Sequence, residues 1–353
     1  MIRALLLLFV VTAAQAEEPP QYVRHFGRHG TNPGSMRVPG GVTSDAQGNI
    51  YVAEIFGHRV QKFDSLGNSL ALWGGRGRQP GKMSAPSDVV VDGQERLWVA
   101  DRDNHRLQWF TLDGEFLGAF GDTARSQFDG PSGLGLDPNG PDLFVADTNN
   151  HRIRKLDISG EFPVPLLSFG EFGMEPGMFA FPMDVSISTT GRIHTVELST
   201  NRVQIFSPEG LFRRAFGEIG SEPGTFAGPV GIAVDSADRI YVVDTFNGRV
   251  QKFEHGGTFI LQWGRTGRKA EVLNRPTRMS LTGDGLGAAA RPGECACVLA
   301  RARRPRDEDQ VHPVAALARR SCRCPPAVER RPVSAGSRES CARRGDARRR
   351  ARG

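Results

Sequence analysis

Five acids in this chain of 353 residues each stand five positions ahead of an arginine: Glu54 and Arg59, Asp101 and Arg106, Asp147 and Arg152, Glu197 and Arg202, Asp244 and Arg249. A carboxylate and a guanidinium at that separation can meet across a short turn as a charge-assisted, bidentate pair. Carboxylates also do acid–base work, but a catalytic pair is needed once. A pair repeated five times points to structure. A second set of charges is sparser. Two residues after regularly spaced prolines stand Gly41, Asp88, Gly133, Asp184, Gly231 and Arg278, so that charge alternates with glycine. If these positions face one central channel, two carboxylates and a guanidinium surround its mouth, a pocket for a polar or cationic group. The plainer alternative is that Asp88 and Asp184 accept backbone hydrogen bonds from neighbouring loops.

Histidines offer less. His58, His105 and His151 directly precede repeat arginines, where bonds to nearby backbone are the expected use. His194 replaces Tyr51, Trp98, Phe144 and Tyr241 at one strand position, but a lone histidine without convergent partners reads as satisfied within its sheet rather than as a ligand. Two carboxylates fall short of the six to eight oxygens calcium takes. No metal, cofactor or catalytic residue is assigned.

The elements that must position these residues repeat as well. From Pro229 the chain reads PVGIAVDSADRIYVVDTFNGRVQKFEHGGTFILQWG, four short apolar runs separated by polar turns, which is a small antiparallel sheet. Aromatic-glycine pairs end these units at Phe26, Trp73, Phe120, Phe169, Phe216 and Trp263, and prolines open them at Pro39, Pro86, Pro131, Pro182, Pro229 and Pro276. A period of 40 to 50 residues with four strands per unit predicts an all-β propeller, six-bladed, in which each sheet buries its faces against its neighbours.

The two ends of the chain depart from the pattern. Residues 1–16 have a positive start, an apolar stretch and an Ala-Gln-Ala site, as in a secretory signal, with an apolar run too short for a membrane span. Tyr22 to Gly27 is an orphan fourth strand, able to close a ring if three strands from the far end join it. The sixth repeat starts at Asn274 and then fails: after Gly285 no second acid-ended strand appears, and the composition turns to Arg, Ala, Pro and Cys. From Gly283 onward there are 17 Arg against 8 acids, an excess larger than the whole chain's +6, so the repeats are mildly acidic. This stretch, 283–353, reads as a disordered Arg-rich tail or an out-of-frame product. On that reading the sixth blade is incomplete, and the N-terminal strand has nothing to pair with. All five cysteines lie in the tail, and the Cys-x-Cys spacing of Cys295 with Cys297 and Cys322 with Cys324 is not that of zinc sites.

The runs PxGIAVD, GNIYVAD, NHRIQxF and FG resemble the NHL repeat of six-bladed propellers, over residues 22 to 282. The resemblance implies a propeller domain at 21–282 and says little about activity. Some exported relatives resemble a peptidyl-hydroxyglycine amidating lyase, whose zinc is held by histidines, one of them directly after a repeat proline. Here those positions are Gly40, Ser87, Ser132, Met183, Val230 and Thr277, which speaks against the lyase. Other NHL domains bind RNA through a basic surface, which mildly acidic repeats do not offer. The expectation is therefore an exported scaffold, secreted or periplasmic, that binds a protein, peptide or glycan at its loop face or channel mouth, without a membrane span.

Overall fold

The computed structural model describes residues 17–121, 127–264, 273, 275–281, 286–291 and 296–301, the last two stretches through their backbone. Contacts divide the chain into residues 1–305 and 306–353, and every described strand lies in the first unit. The expectations about the leader at 1–16 and about the tail beyond Arg301 lie outside the described residues. Five blades are four-stranded antiparallel sheets of consecutive strands, spanning residues 39–74, 86–120, 131–169, 182–216 and 229–263. In the fifth, the strands are Pro229–Val234, Ile240–Asp244, Arg249–Phe253 and Phe259–Trp263.

Second strands are buried from end to end in blades 1, 2, 4 and 5, and from Leu143 on in blade 3, because they lie mid-sheet with a neighbouring blade on each face, and so their sequences run apolar instead of alternating. The core is correspondingly divided among the blade interfaces. Tyr51, Ala53 and Val60 of blade 1 meet Val89, Leu97, Val99 and Phe110 of blade 2, and Trp98 stacks on Trp109 at 4.8 Å to face blade 3. Fourth strands form the outer edge and keep large side chains such as Leu70, Leu72 and Leu166 exposed. First strands line the centre, each packed on the first strand of the next blade.

A further four-stranded sheet is composite. Gln21–Phe26 pairs antiparallel with Ala296–Arg301, followed in order by Leu286–Arg291 and Met279–Leu281. This corrects the expectation that the N-terminal strand lacks a partner, and strands continue past the boundary drawn at residue 282. Ladder bonds are made by the main chain, so an extended segment can supply a strand without the side-chain signature of the repeat. Irregularity persists in the first strand of this sheet, three residues long where the other blades have six. Blade 1 packs on this sheet: Phe26 is buried with its ring 4.9 Å from that of Phe63, and Thr277 Oγ1 donates to the Gly40 carbonyl at 3.0 Å.

Candidate functional site: channel cluster and loop face

All five repeat pairs form as the spacing predicts. Guanidinium-carboxylate distances are 2.6 Å for Arg59 with Glu54, 2.9 Å for Arg106 with Asp101, and 2.7 Å for Arg152 with Asp147, Arg202 with Glu197 and Arg249 with Asp244. Each acid is fully buried and also accepts from a backbone N–H about 17 residues upstream, as Ser84 N donates to Asp101 at 2.6 Å and Ala227 N to Asp244 at 2.7 Å. The arginines donate onward to carbonyls of the connector entering their blade, among them Gln79, Lys82, Glu222 and Thr225. These pairs fasten the loops of one end of the propeller; their lone pairs and protons are already spoken for. Gln61, Gln108, Gln204 and Gln251 complete the arrangement, each bridging its acid to the connector backbone. Sequence reasoning passed over these glutamines, although each stands two places after its arginine in four of the five repeats.

The loop histidines bond backbone, but that of the next blade. His58 Nδ1 accepts from Ala85 N–H at 3.0 Å, His105 Nδ1 from Gly130 N–H at 3.1 Å and His151 Nδ1 from Phe181 N–H at 3.2 Å, in each case just ahead of a blade-opening proline. Asn201 Oδ1 does the same for Gly228 at 2.8 Å. All four adopt positive φ, between 51° and 57°, a conformation that side chains rarely take, and blade 5 has Gly248 there. His194 is buried in its strand with Nδ1 3.2 Å from the Arg192 carbonyl, and desolvation depresses it to about 4. It is satisfied locally, as expected.

Asp88, Asp184 and Arg278 do converge at the centre, against a cavity of about 230 Å³. Arg278 Nη1 lies 2.9 Å from Asp184 and also donates to the Val230 carbonyl, Nη2 donates to the Met183 carbonyl at 2.7 Å, and Nε lies 3.9 Å from Asp88. Both acids also accept backbone bonds across blades: Asp88 from Leu134 N–H at 2.9 Å and Asp184 from Ile232 N–H at 2.9 Å. The plainer reading of these acids therefore accounts for much of their bonding. The alternating glycines make the room: a Cβ on Gly41 would sit 2.3 Å from Asp88 Oδ1, and one on Gly133 would sit 2.4 Å from Asp184 Oδ1. Two carboxylates share one cation out of water, so burial raises both, Asp88 to about 7, against the pull of Arg278. The cluster acts as a clasp, with one side chain of the last sheet joined to blades 2, 4 and 5.

Positions after the prolines bear on zinc. Ser87 Oγ donates to the Ser132 carbonyl at 3.0 Å, Ser132 Oγ to the Met183 carbonyl at 2.6 Å, and Thr277 closes the same circuit onto blade 1. With Gly40, Met183 and Val230 at the remaining places, these residues do not fit a histidine-held zinc. Among the described residues no three His, Cys, Asp or Glu side chains are grouped as a metal site.

The end fastened by the ion pairs carries the turns between second and third strands and the connectors between blades. Exposed there are Phe56 and Phe246 in the turns and Phe172, Met174 and Ile219 in the connectors, Ile219 at 77%. No described helix is long and apolar enough to cross a membrane.

The family model for the NHL repeat matches residues 83–110, 128–156 and 226–253. No curated protein matches the chain by sequence. Among solved structures, a protein of unknown function from Bacteroides thetaiotaomicron aligns at 14% identity over 78% of this chain and 74% of its own, with a TM-score of 0.62. A virginiamycin B lyase from Staphylococcus aureus aligns at 14% identity over 75% of this chain and 94% of its own (TM-score 0.54), and a gluconolactonase from Xanthomonas campestris at 12% over 82% and 99% (TM-score 0.57). At such identities the likeness is one of fold.

Proposed function

Because this chain is an NHL-repeat β-propeller, we propose that it is an exported binding scaffold, secreted or periplasmic, that holds a protein, peptide or glycan against its loop face. We read the composite sheet as a sixth blade that closes the ring. One observation carries the functional reading. The groups able to do chemistry in every repeat are committed to holding the loops, and the face they hold presents Phe56, Phe172, Met174, Ile219 and Phe246 to solvent. A rigid platform with exposed aromatic and aliphatic anchors suits recognition. The amidating-lyase alternative draws no support from the post-proline hydroxyls, which are bonded to neighbouring carbonyls. Mildly acidic repeats likewise favour ligands other than nucleic acid.

Peptide and glycan arrays probed with the mature chain test this. Ligands captured by the native protein should bind at least tenfold more weakly to a Phe172→Ser, Met174→Ser, Ile219→Ser variant and unchanged to Leu70→Ser, Leu72→Ser on an outer edge. Equal capture by the loop-face variant, or turnover of a peptidyl-hydroxyglycine by the native chain, overturns the reading.

A further inference from the structure

At the opposite end of the propeller, where first strands turn into second and third into fourth, four blades follow one scheme and blade 4 does not. In blades 1, 2, 3 and 5 the first strand is followed directly by Asp45, Asp92, Asp137 or Asp235, whose carboxylate caps the following turn. Where an arginine stands four residues on, that acid also neutralises it: Arg96 lies 2.7 Å from Asp92 and Arg239 lies 2.8 Å from Asp235. Blade 4 has Ser188 in place of the aspartate. Its hydroxyl still caps the turn, accepting from Arg192 N–H at 3.1 Å, but it brings no charge. The Arg192 guanidinium has no ion-pair partner among the described residues.

Two more substitutions fall on the same end of the same blade. On the third strand, Lys62 of blade 1, Lys155 of blade 3 and Lys252 of blade 5 pair with Asp113, Asp142 and Glu17, whereas blade 4 has the buried, neutral Ile205. Directly opposite Ile205 in register is Arg214, where the other blades place Ala71, Gly118, Leu167 and Leu261. Arg213 beside it replaces Leu70, Leu117, Leu166 and Ile260. Neither arginine has an acid at ion-pair distance among the described residues. Arg214 reaches toward blade 5, its Nη1 within 3.3 Å of where a Cβ on Gly256 would stand.

These residues surround a cavity of about 540 Å³ between blades 4 and 5, lined by Arg192, Arg213, Arg214 and His255, with Ile205 contributing apolar wall and Glu209 the lone acid. Glu209 is engaged by the Ser207 side chain, which holds its carboxyl below the usual range. Three arginines around a concavity of ligand size, on repeats that are mildly acidic overall, concentrate positive potential in one place. Arginine's planar fork matches the paired oxygens of phosphate and carboxylate. We propose that this cavity is a binding site for a small organic anion carrying a phosphoryl group or two carboxylates, distinct from the loop face at the other end.

Isothermal titration calorimetry of the full chain with glucose 6-phosphate, citrate and glucose tests the site. Glucose 6-phosphate or citrate should bind in low salt and glucose should not; whichever anion binds more tightly identifies the phosphoryl or carboxylate form of the ligand. Arg214→Ala and Arg192→Ala, both at exposed positions, should each weaken binding about tenfold while leaving the melting temperature in place. Ser188→Asp should weaken it too, by giving Arg192 the partner that Arg96 and Arg239 have. If neither anion binds at millimolar concentration, if glucose binds equally well, or if Arg214→Ala and Ser188→Asp bind as the native chain does, the proposal is wrong.

Discussion

The two ends of the propeller solve the same problem differently. At the loop end an acid-arginine pair is built the same way in five blades, and a glutamine joins it in four of them. At the opposite end the turn-capping aspartates serve four blades, and blade 4 substitutes at several places at once. Identical repetition marks what every blade needs in order to stand against its neighbours. A concerted local departure marks what one blade does in addition. Charge alone does not separate the two cases, since both ends are rich in arginine; the presence or absence of a partner does.

The largest expected effect tests the repeated end. Asp101→Ala strands the guanidinium of Arg106, the amide of Gln108 and the N–H of Ser84 in a buried site and should cost about 3–5 kcal/mol in chemical denaturation. A loss near that of a surface change would mean the pairs do not hold the loops. Gly133→Ala comes next. Its Cβ would overlap the backbone and carboxylate of Asp184, and overpacking of this kind costs about 1–3 kcal/mol.

The channel clasp adds a pH signature. Asp88 is raised to about 7 in the fold, above its unfolded value, so the folded state keeps a proton that the unfolded chain gives up. Stability from this group is fully present below about pH 4 and is lost as pH rises toward 7. Asp88→Asn should flatten that slope in denaturation series, and an unchanged slope would remove the clasp's buried carboxylate from the account. Smaller still is His58→Ala, which gives up one blade-to-blade bond and should cost about 1 kcal/mol, with His58→Asn recovering most of it because Asn201 does the same work in blade 4. Since burial lowers His58 and His151, their contribution is present above the unfolded histidine value and is lost as pH falls below it, the reverse of Asp88.

Legibility in the sequence followed the reach of each interaction. The five pairs could be read because both partners lie five residues apart in one hairpin. Alternation of charge and glycine along the first strands was visible too, and the convergence of Asp88, Asp184 and Arg278 follows from it. What a glycine leaves room for in the next blade was not visible, because Gly133 and Asp184 meet only in space. The same holds for the loop histidines, whose acceptor nitrogens serve backbone 25 to 30 residues on. The partner of the N-terminal strand is hidden from the sequence for another reason. The repeat's side-chain pattern stops after Gly285, yet a ladder asks only for extended backbone. Ser188 was open to view all along, but a missing acid carries no signal until its four counterparts are aligned.

That composite sheet sets an order of events for the newly made chain. Gln21–Phe26 leaves the ribosome ahead of every blade, while Ala296–Arg301, against which it docks, follows all of them. The first strand made is thus among the last to be housed, and until then it is an unpaired edge, open to any neighbouring strand. Pairing between such distant parts of a chain is slow. Completion of this sheet has to wait until Arg301 has been made, so a chain cut short before Ala296 would keep its five blades and leave Gln21–Phe26 without its partner strand.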